Sequence, residues 1–180
     1  EVKLNTNYAM VITTNAGLWR YKIGDTIRFT SLSPYRIQVT GRTKHFINVF
    51  GEELIIDNAE KALEKVCSQT KSNVFNYTAG PIFMEKNKQG AHEWIIEFDR
   101  EPEDLSLFCR LFDKALQNEN SDYEAKRYNN MTLKPLRLHK ARKGLFYKWL
   151  SQKGKLGGQH KVPRLSNSRE ILDELLKMNY

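Results

Sequence analysis

The chain has 180 residues, 40% of them hydrophobic and 28% charged, the profile of a soluble globular protein with room for one sizeable core or a small domain and part of another. No apolar run approaches the roughly twenty residues of a membrane span, and two cysteines with four scattered histidines offer no spacing for structural zinc. The net charge of +8 is unevenly divided: positions 126–169 hold thirteen Lys or Arg and no Asp or Glu, while the remainder is net −5. Such a bipolar chain should offer its positive half to an anion, whether nucleic acid, nucleotide or the acidic side of a cleft. The start at Glu1-Val2-Lys3 leaves the compartment open, since a removed signal peptide would leave the same kind of start. Cysteine usage is that of a reducing cytoplasm.

Residues 8–14 are rich in strand formers and end at Asn15-Ala16-Gly17. A second strand begins near 18–21, and Gly24-Asp25 is expected to break it. Residues 26–30 and 35–40 read as two strands joined by a turn at 31–34, after which Gly41 marks a sharp change. Apolar residues at 55/56, 59, 62/63 and 66 predict a helix over 55–67, with Asp57 and Glu60 in its first turns. Residues 74–84 and 93–98 read as strands around a polar loop at 86–90. Pro102-Glu103-Asp104 opens a long helix striped by Leu105, Phe108, Leu111, Phe112, Ala115 and Leu116. A strand at 133–139, a short helix at 144–152 and a glycine-bearing loop at 154–158 follow, and Ser168 is a plausible cap for a last amphipathic helix. Cys67 and Cys109 read as reduced core cysteines, and Trp19, Trp94 and Trp149 as core or interface aromatics. The chain is therefore nearly all β before Gly41 and mixed after it, an α+β protein. Residues 1–43 look like the edge of a larger β-rich domain, and 44–180 like a separate α+β domain.

Two patterns carry chemistry, and their order matters. Tyr21-Lys22-Ile23-Gly24-Asp25 places a carboxylate behind a glycine, where it can accept hydrogen bonds from vicinal hydroxyls, although Gly-Asp alone is an ordinary turn. Gly41-Arg42-Thr43-Lys44 follows, then a short apolar strand, Gly51-Glu52 and a helix containing Asn58-Ala59-Glu60. Standing alone, Arg42 and Lys44 would be read as a solvated turn. The ordered set resembles the adenylate-forming superfamily of acyl-CoA synthetases, peptide-synthetase adenylation domains and luciferases. Lys22 stands where that superfamily usually has Arg, which keeps the charge but loses the planar fork. Further on, Asn120-Ser-Asp-Tyr-Glu-Ala-Lys-Arg127 and Gly157-Gly158-Gln159-His160-Lys161-Val162-Pro163-Arg164 are similar to the acyl acid–amido synthetases named after the Gretchen Hagen auxin-responsive genes of plants, and especially to their bacterial members. The resemblance covers essentially the whole chain.

That resemblance implies a fold: the α/β-sandwich-like C-terminal domain of an adenylate-forming enzyme, preceded by the last strands of its large N-terminal domain. It implies ATP and Mg2+ as cofactors, a carboxylic acid activated as its adenylate, and an amino acid whose amine displaces AMP to form an amide. By the same resemblance Asp25 would bind the ribose hydroxyls and Arg42 would lie near the ribose and phosphate. Lys44 would be the hinge for domain rotation. Lys161, in a stretch loosened by Gly154, Gly157 and Gly158, would contact the carboxylate and α-phosphate as negative charge shifts; Lys153 and Lys155 compete for that catalytic role. Tyr123 and Arg127 read as a packing and surface pair, and Arg164 as a carbonyl cap or a phosphate contact. No Ser/Thr/Gly-rich phosphate loop precedes Tyr21, and the acyl pocket would lie upstream too, so the chain is expected to be the C-terminal part of a cytoplasmic ligase, inactive alone. An acyl-CoA ligase of the same superfamily is the alternative. A nucleic-acid-binding module built on the basic half is a distant third, lacking the aromatic-and-basic ribbon of an RNA-binding sheet. No membrane partner is expected.

Overall fold

Strands β1 (Asn7–Ile12), β2 (Tyr21–Leu32) and β3 (Tyr35–Arg42) form an antiparallel sheet in the order β1-β2-β3. The computed structural model describes residues 1–42, 45–85, 88–130, 132–155, 157 and 161–180. Strand β2 does not break at Gly24-Asp25. Gly24 adopts a φ of 87°, and the β2–β3 register slips between Thr26 and Ile27. A bulge thus absorbs the turn-forming pair while the ladder continues.

Short strands β4 (Phe46–Ile47) and β5 (Leu54–Ile55) pair and lead directly into helix α1 (Ile56–Thr70). The Asn58 side chain accepts the Ile55 amide at 3.1 Å at its start, and Lys71 ends it with a φ of 52° and an N–H donated to the Cys67 carbonyl. The last turn, Ser68-Gln69-Thr70, carries no apolar signal, which is why periodicity alone ends the helix early.

Strands β6 (Asn73–Ile82) and β7 (Ala91–Arg100) form an antiparallel hairpin, and β8 (Arg137–Lys140) joins β7 in parallel. The strand expected over 133–139 is shorter because Leu133 makes only an isolated bridge with Gly90, and Pro135 has no N–H to give. Helix α2 (Leu105–Glu119) starts at Asp104, whose carboxylate accepts the Ser106 and Leu107 amides at 2.8 and 2.9 Å. Helix α3 (Ser121–Arg127), a 3-10 turn at Tyr128–Asn130, α4 (Leu145–Gln152) and α5 (Glu170–Asn179) complete the order. Ser168 is not the cap of α5: its hydroxyl and amide turn to Ser166, and Arg169 stands at the N-cap without a side-chain capping bond.

Alternation along β7 divides the core into two layers. Trp94, Ile96 and Phe98 pack with Leu63 and Val66 of α1 and Phe108, Phe112 and Leu116 of α2. Ile95 points the other way, into Leu145, Phe146 and Trp149 of α4 and Leu172 and Leu175 of α5. The result is an α/β/α sandwich, consistent with the expected α/β-sandwich-like domain. Cys67 and Cys109 flank the first cluster, half-buried. Trp94 and Trp149 are core residues as expected, whereas Trp19 is 79% exposed.

Phe112→Ala should therefore cost about 3–5 kcal/mol in chemical denaturation, the range for emptying an aromatic site in a packed core. Trp19→Ala should stay within about 0.5 kcal/mol.

Candidate functional site

The β2–β3 ladder pairs Asp25 with Arg42 and Thr26 with Gly41, just beside the bulge that follows Gly24. Two candidate nucleotide-binding residues, seventeen positions apart in the chain, thus become register partners. Asp25 is half-buried. This end of the sheet rests near the start of α1: Arg28 lies 3.8 Å from Asp57, and the buried Thr40 hydroxyl bonds that of Thr26 at 3.1 Å. Lys44, the expected hinge, lies outside the described residues.

Beyond that position the chain is tied firmly into the mixed domain. The Asn48 amide donates to the Asn167 side chain at 2.8 Å, and the Asn120 amide group donates to the Glu53 carbonyl at 3.2 Å. Fully buried Glu52 accepts the Phe50 amide at 2.7 Å and meets the equally buried His92 at 2.9 Å. His92 stacks on Tyr123 with ring centroids 4.9 Å apart. Tyr123 in turn donates its hydroxyl to Asp113 at 2.7 Å, and Arg127 bonds both the Asp113 carboxylate (2.8 Å) and the Leu133 carbonyl (2.7 Å). Tyr123 and Arg127 are accordingly not a surface pair; they are the buried half of a polar network. Helical i,i+4 spacing does not reveal this, because their partner Asp113 sits on another helix.

Burial acts to raise the carboxyls of this network, but the hydrogen bonds prevail. Bonds and charge from Arg127, with the Tyr123 hydroxyl and Leu136 amide, hold Asp113 below its ordinary 3.8. For Glu52, burial again pushes upward, and His92 with the Phe50 amide holds the carboxyl below 4.5. Burial pushes the Tyr123 hydroxyl far upward, and the neighbouring Asp113 charge adds to it.

Lys161 is exposed and, among the described residues, makes no ion pair. The residues after it are fixed. Val162 is buried in the α4–α5 layer and Leu165 in the α1–α2 layer. The Ala79 amide donates to the Arg164 carbonyl at 2.9 Å, the Ser166 amide donates to the Ala79 carbonyl at 3.1 Å, and the Thr78 hydroxyl donates to the Pro163 carbonyl at 2.6 Å. Residues 162–166 thereby run beside β6 like a fourth strand. Arg164 neither caps a carbonyl nor stands free for phosphate: it pairs with Glu60 and lies over the Tyr77 ring at 5.2 Å. The cavity beside these three residues has a volume of about 260 Å³, below the roughly 300–1,000 Å³ of a ligand pocket. Of the competing lysines, Lys153 is held by Glu174 at 2.8 Å and lies over Trp149, while Lys155 is exposed. Gln159 and His160 lie outside the described residues.

The basic stretch is also less bare than its sequence suggests. Arg127, Arg137, Lys140, Lys153, Arg164 and Arg169 each meet an acid from outside it. Glu93 on β7 gathers Arg169 at 2.6 Å, His139 at 2.9 Å and Arg137 at 3.4 Å. Burial raises the Glu93 carboxyl, yet the His139 and Arg169 bonds keep it below 4.5. Among the described residues, no group of three or more His, Cys, Asp or Glu could hold a metal, and no helix is long and apolar enough to cross a membrane.

Comparison with known proteins places this geometry. Residues 57–170 match the GH3 family C-terminal domain, and residues 1–42 match the GH3 family central domain. The chain belongs to the GH3 family. It is 28% identical to the indole-3-acetic acid-amido synthetase GH3.10 of Arabidopsis thaliana, over 97% of this chain and 31% of that protein. It is 30% identical to the jasmonoyl-L-amino acid synthetase GH3.5 of Oryza sativa subsp. japonica, over 100% of this chain and 33% of that protein. The GH3.15 acyl acid amido synthetase structure superposes with a TM-score of 0.74 at 22% identity, over 99% of this GH3 chain and 35% of that one, which shows a shared fold. The chain spans about a third of the length of the curated relatives it matches.

The buried Asp113–Arg127 pair generates a test. Arg127→Met leaves an uncompensated buried carboxylate and should cost about 3–5 kcal/mol in denaturation at neutral pH. Because Asp113 is held below 3.8, its contribution is present above that value and lost as pH falls through the lower folded-state value. The gap between wild type and Arg127→Met should therefore narrow below pH 3.8, as protonation removes the charge that the variant leaves unpaired.

Proposed function

We propose that this GH3 chain serves, as its C-terminal part, an ATP-dependent acyl acid–amido synthetase that activates a carboxylic acid as its adenylate and transfers the acyl group to an amino acid amine. The observation that carries the reading is the register pairing of Asp25 with Arg42 in a chain of this family. A carboxylate accepts hydrogen bonds at both oxygens, as vicinal ribose hydroxyls require, so Asp25 fits the sugar of ATP and of the adenylate. Arg42 lies near the same sugar and phosphate. Mg2+ enters with the ATP phosphates, and no residue of this chain is assigned to it. Lys161 supplies a compact positive charge to the attacking carboxylate and the α-phosphate, a task of point-charge stabilisation suited to an ammonium. The freedom of Lys161 from ion pairs, set against the commitment of Lys153 to Glu174, favours it over that competitor.

Residues 1–43 belong to the nucleotide-binding body and 44–180 to the domain that turns about Lys44, so Asp25 and Lys161 stand on opposite sides of the hinge. The names of the reported relatives describe amide products, which favours an amine acceptor over the thiol of coenzyme A. Their identities of 28% and 30% to plant proteins agree with a distant, bacterial member.

In the full-length protein, pyrophosphate exchange into ATP should depend on a carboxylic acid. Lys161→Ala should slow that exchange by about 10²–10³-fold while sparing amide formation from a supplied acyl-adenylate. An equal loss in both half-reactions removes Lys161 from this role. Product analysis with amino acids against coenzyme A tests the acceptor.

A further inference from the structure

We propose that Thr78 is the positioning residue for Lys161, an inference that rests on the role given to Lys161 above. The segment behind Lys161 is held by three hydrogen bonds from β6, and they are not equivalent. Two are backbone bonds of Ala79, one to the Arg164 carbonyl and one from the Ser166 amide, and together they fix the segment at Leu165. A continued ladder would next use the Tyr77 amide, but that N–H donates to the side chain of Asn76 at 2.9 Å. On the opposing side Pro163 has no N–H to contribute. The backbone pairing therefore stops one residue too early to hold Pro163, and the Thr78 hydroxyl takes over, donating to its carbonyl at 2.6 Å.

This bond is the last polar tether before Lys161, two residues away. Thr78 is 1% exposed, so water does not compete for the Pro163 carbonyl from that side. Burial of Val162 holds the apolar side of the same stretch, but apolar packing is non-directional and does not set where the backbone points. Arg164, paired with Glu60 and lying over Tyr77, fixes the far end of the segment and leaves Lys161 to Thr78. Consecutive Cα atoms are about 3.8 Å apart, so a two-residue stretch released from Pro163 lets the Lys161 backbone move by several ångströms. A misplacement of about 1 Å at a reacting centre can cost about 10²-fold in rate.

The test uses the full-length protein with Thr78→Val, which keeps the shape and removes the donor, and Thr78→Ser, which keeps the donor. Acid-dependent pyrophosphate exchange, amide formation from supplied adenylate, and tryptic cleavage after Lys161 are measured for each. Thr78→Val should lower kcat for exchange by about 10–100-fold with KM for ATP unchanged. It should also spare amide formation and hasten cleavage after Lys161, and Thr78→Ser should restore all three. A general loss of folding would lower both half-reactions together and would overturn the proposal, as would failure of Thr78→Ser to restore exchange. Normal exchange in both wild type and Thr78→Val overturns this inference alone. A wild-type protein without acid-dependent exchange overturns the proposed function and takes this inference with it.

Discussion

Strand β7 is covered on both faces, and the remaining elements are arranged by what that burial demands. Trp94, Ile95 and Ile96 are fully buried, and each such side chain is worth about 1.5–3 kcal/mol relative to exposure. Trp94 and Ile96 require the α1–α2 layer, and Ile95 requires the α4–α5 layer. The same strand carries two buried carboxylates, Glu93 and Glu97. A buried carboxylate without partners is costly, so their partners are structural requirements. Glu97 accepts the Gly144 amide at 2.6 Å at the start of α4, and Glu93 accepts the Arg169 guanidinium at the start of α5. The apolar residues of β7 thus demand two helical layers, and its acids determine where the second layer begins.

Charge is organised by the same logic. The basic stretch at 126–169 folds so that six of its cations meet acids from elsewhere in the chain, among them Asp113, Glu60, Glu93 and Glu174. The two oppositely charged parts of the sequence are therefore folded into each other. This reduces the free positive surface that a nucleic acid would need, and it leaves exposed lysines such as Lys155 and Lys161 as the more available charges.

Rigid and adjustable parts meet at two places. Glu52, His92, Tyr123, Asp113 and Arg127 join the turn between β4 and β5 to α2 and α3. This network makes the stretch just beyond Lys44 part of the mixed domain, so a rotation about Lys44 would move the domain as one body. At the other place, residues 162–166 are pinned to β6 while Lys161 itself is exposed. A charge carried next to a firm anchor is well suited to entering and leaving a site with its domain, because its position is set by the domain and not by loop sampling.

Local sequence determined most of the element list by itself. Helical apolar spacing located α1 and α2, Asp104 announced its cap, and the order of Gly24-Asp25 and Gly41-Arg42 identified the residues that the sheet then pairs. These features are legible because they depend on neighbours within one or two turns, or on motif order along the chain. Other features are decided only by contacts between distant segments. The bulge that lets β2 run through Gly24-Asp25 is stabilised by pairing with β1 and β3, so the local turn signal there misleads. The burial of Tyr123 and Arg127 depends on Asp113 from α2, and the commitment of Arg164 depends on Glu60 from α1. Strand β7 shows no alternation because both of its faces are covered, a condition set by four helices remote from it in sequence. The sequence alone named Asp25, Arg42 and Lys161 as candidates. Only the tertiary structure decided that the first two share a ladder and that the third stands beside an anchored segment, because hydrogen-bond register and burial come into being when distant parts of the chain meet.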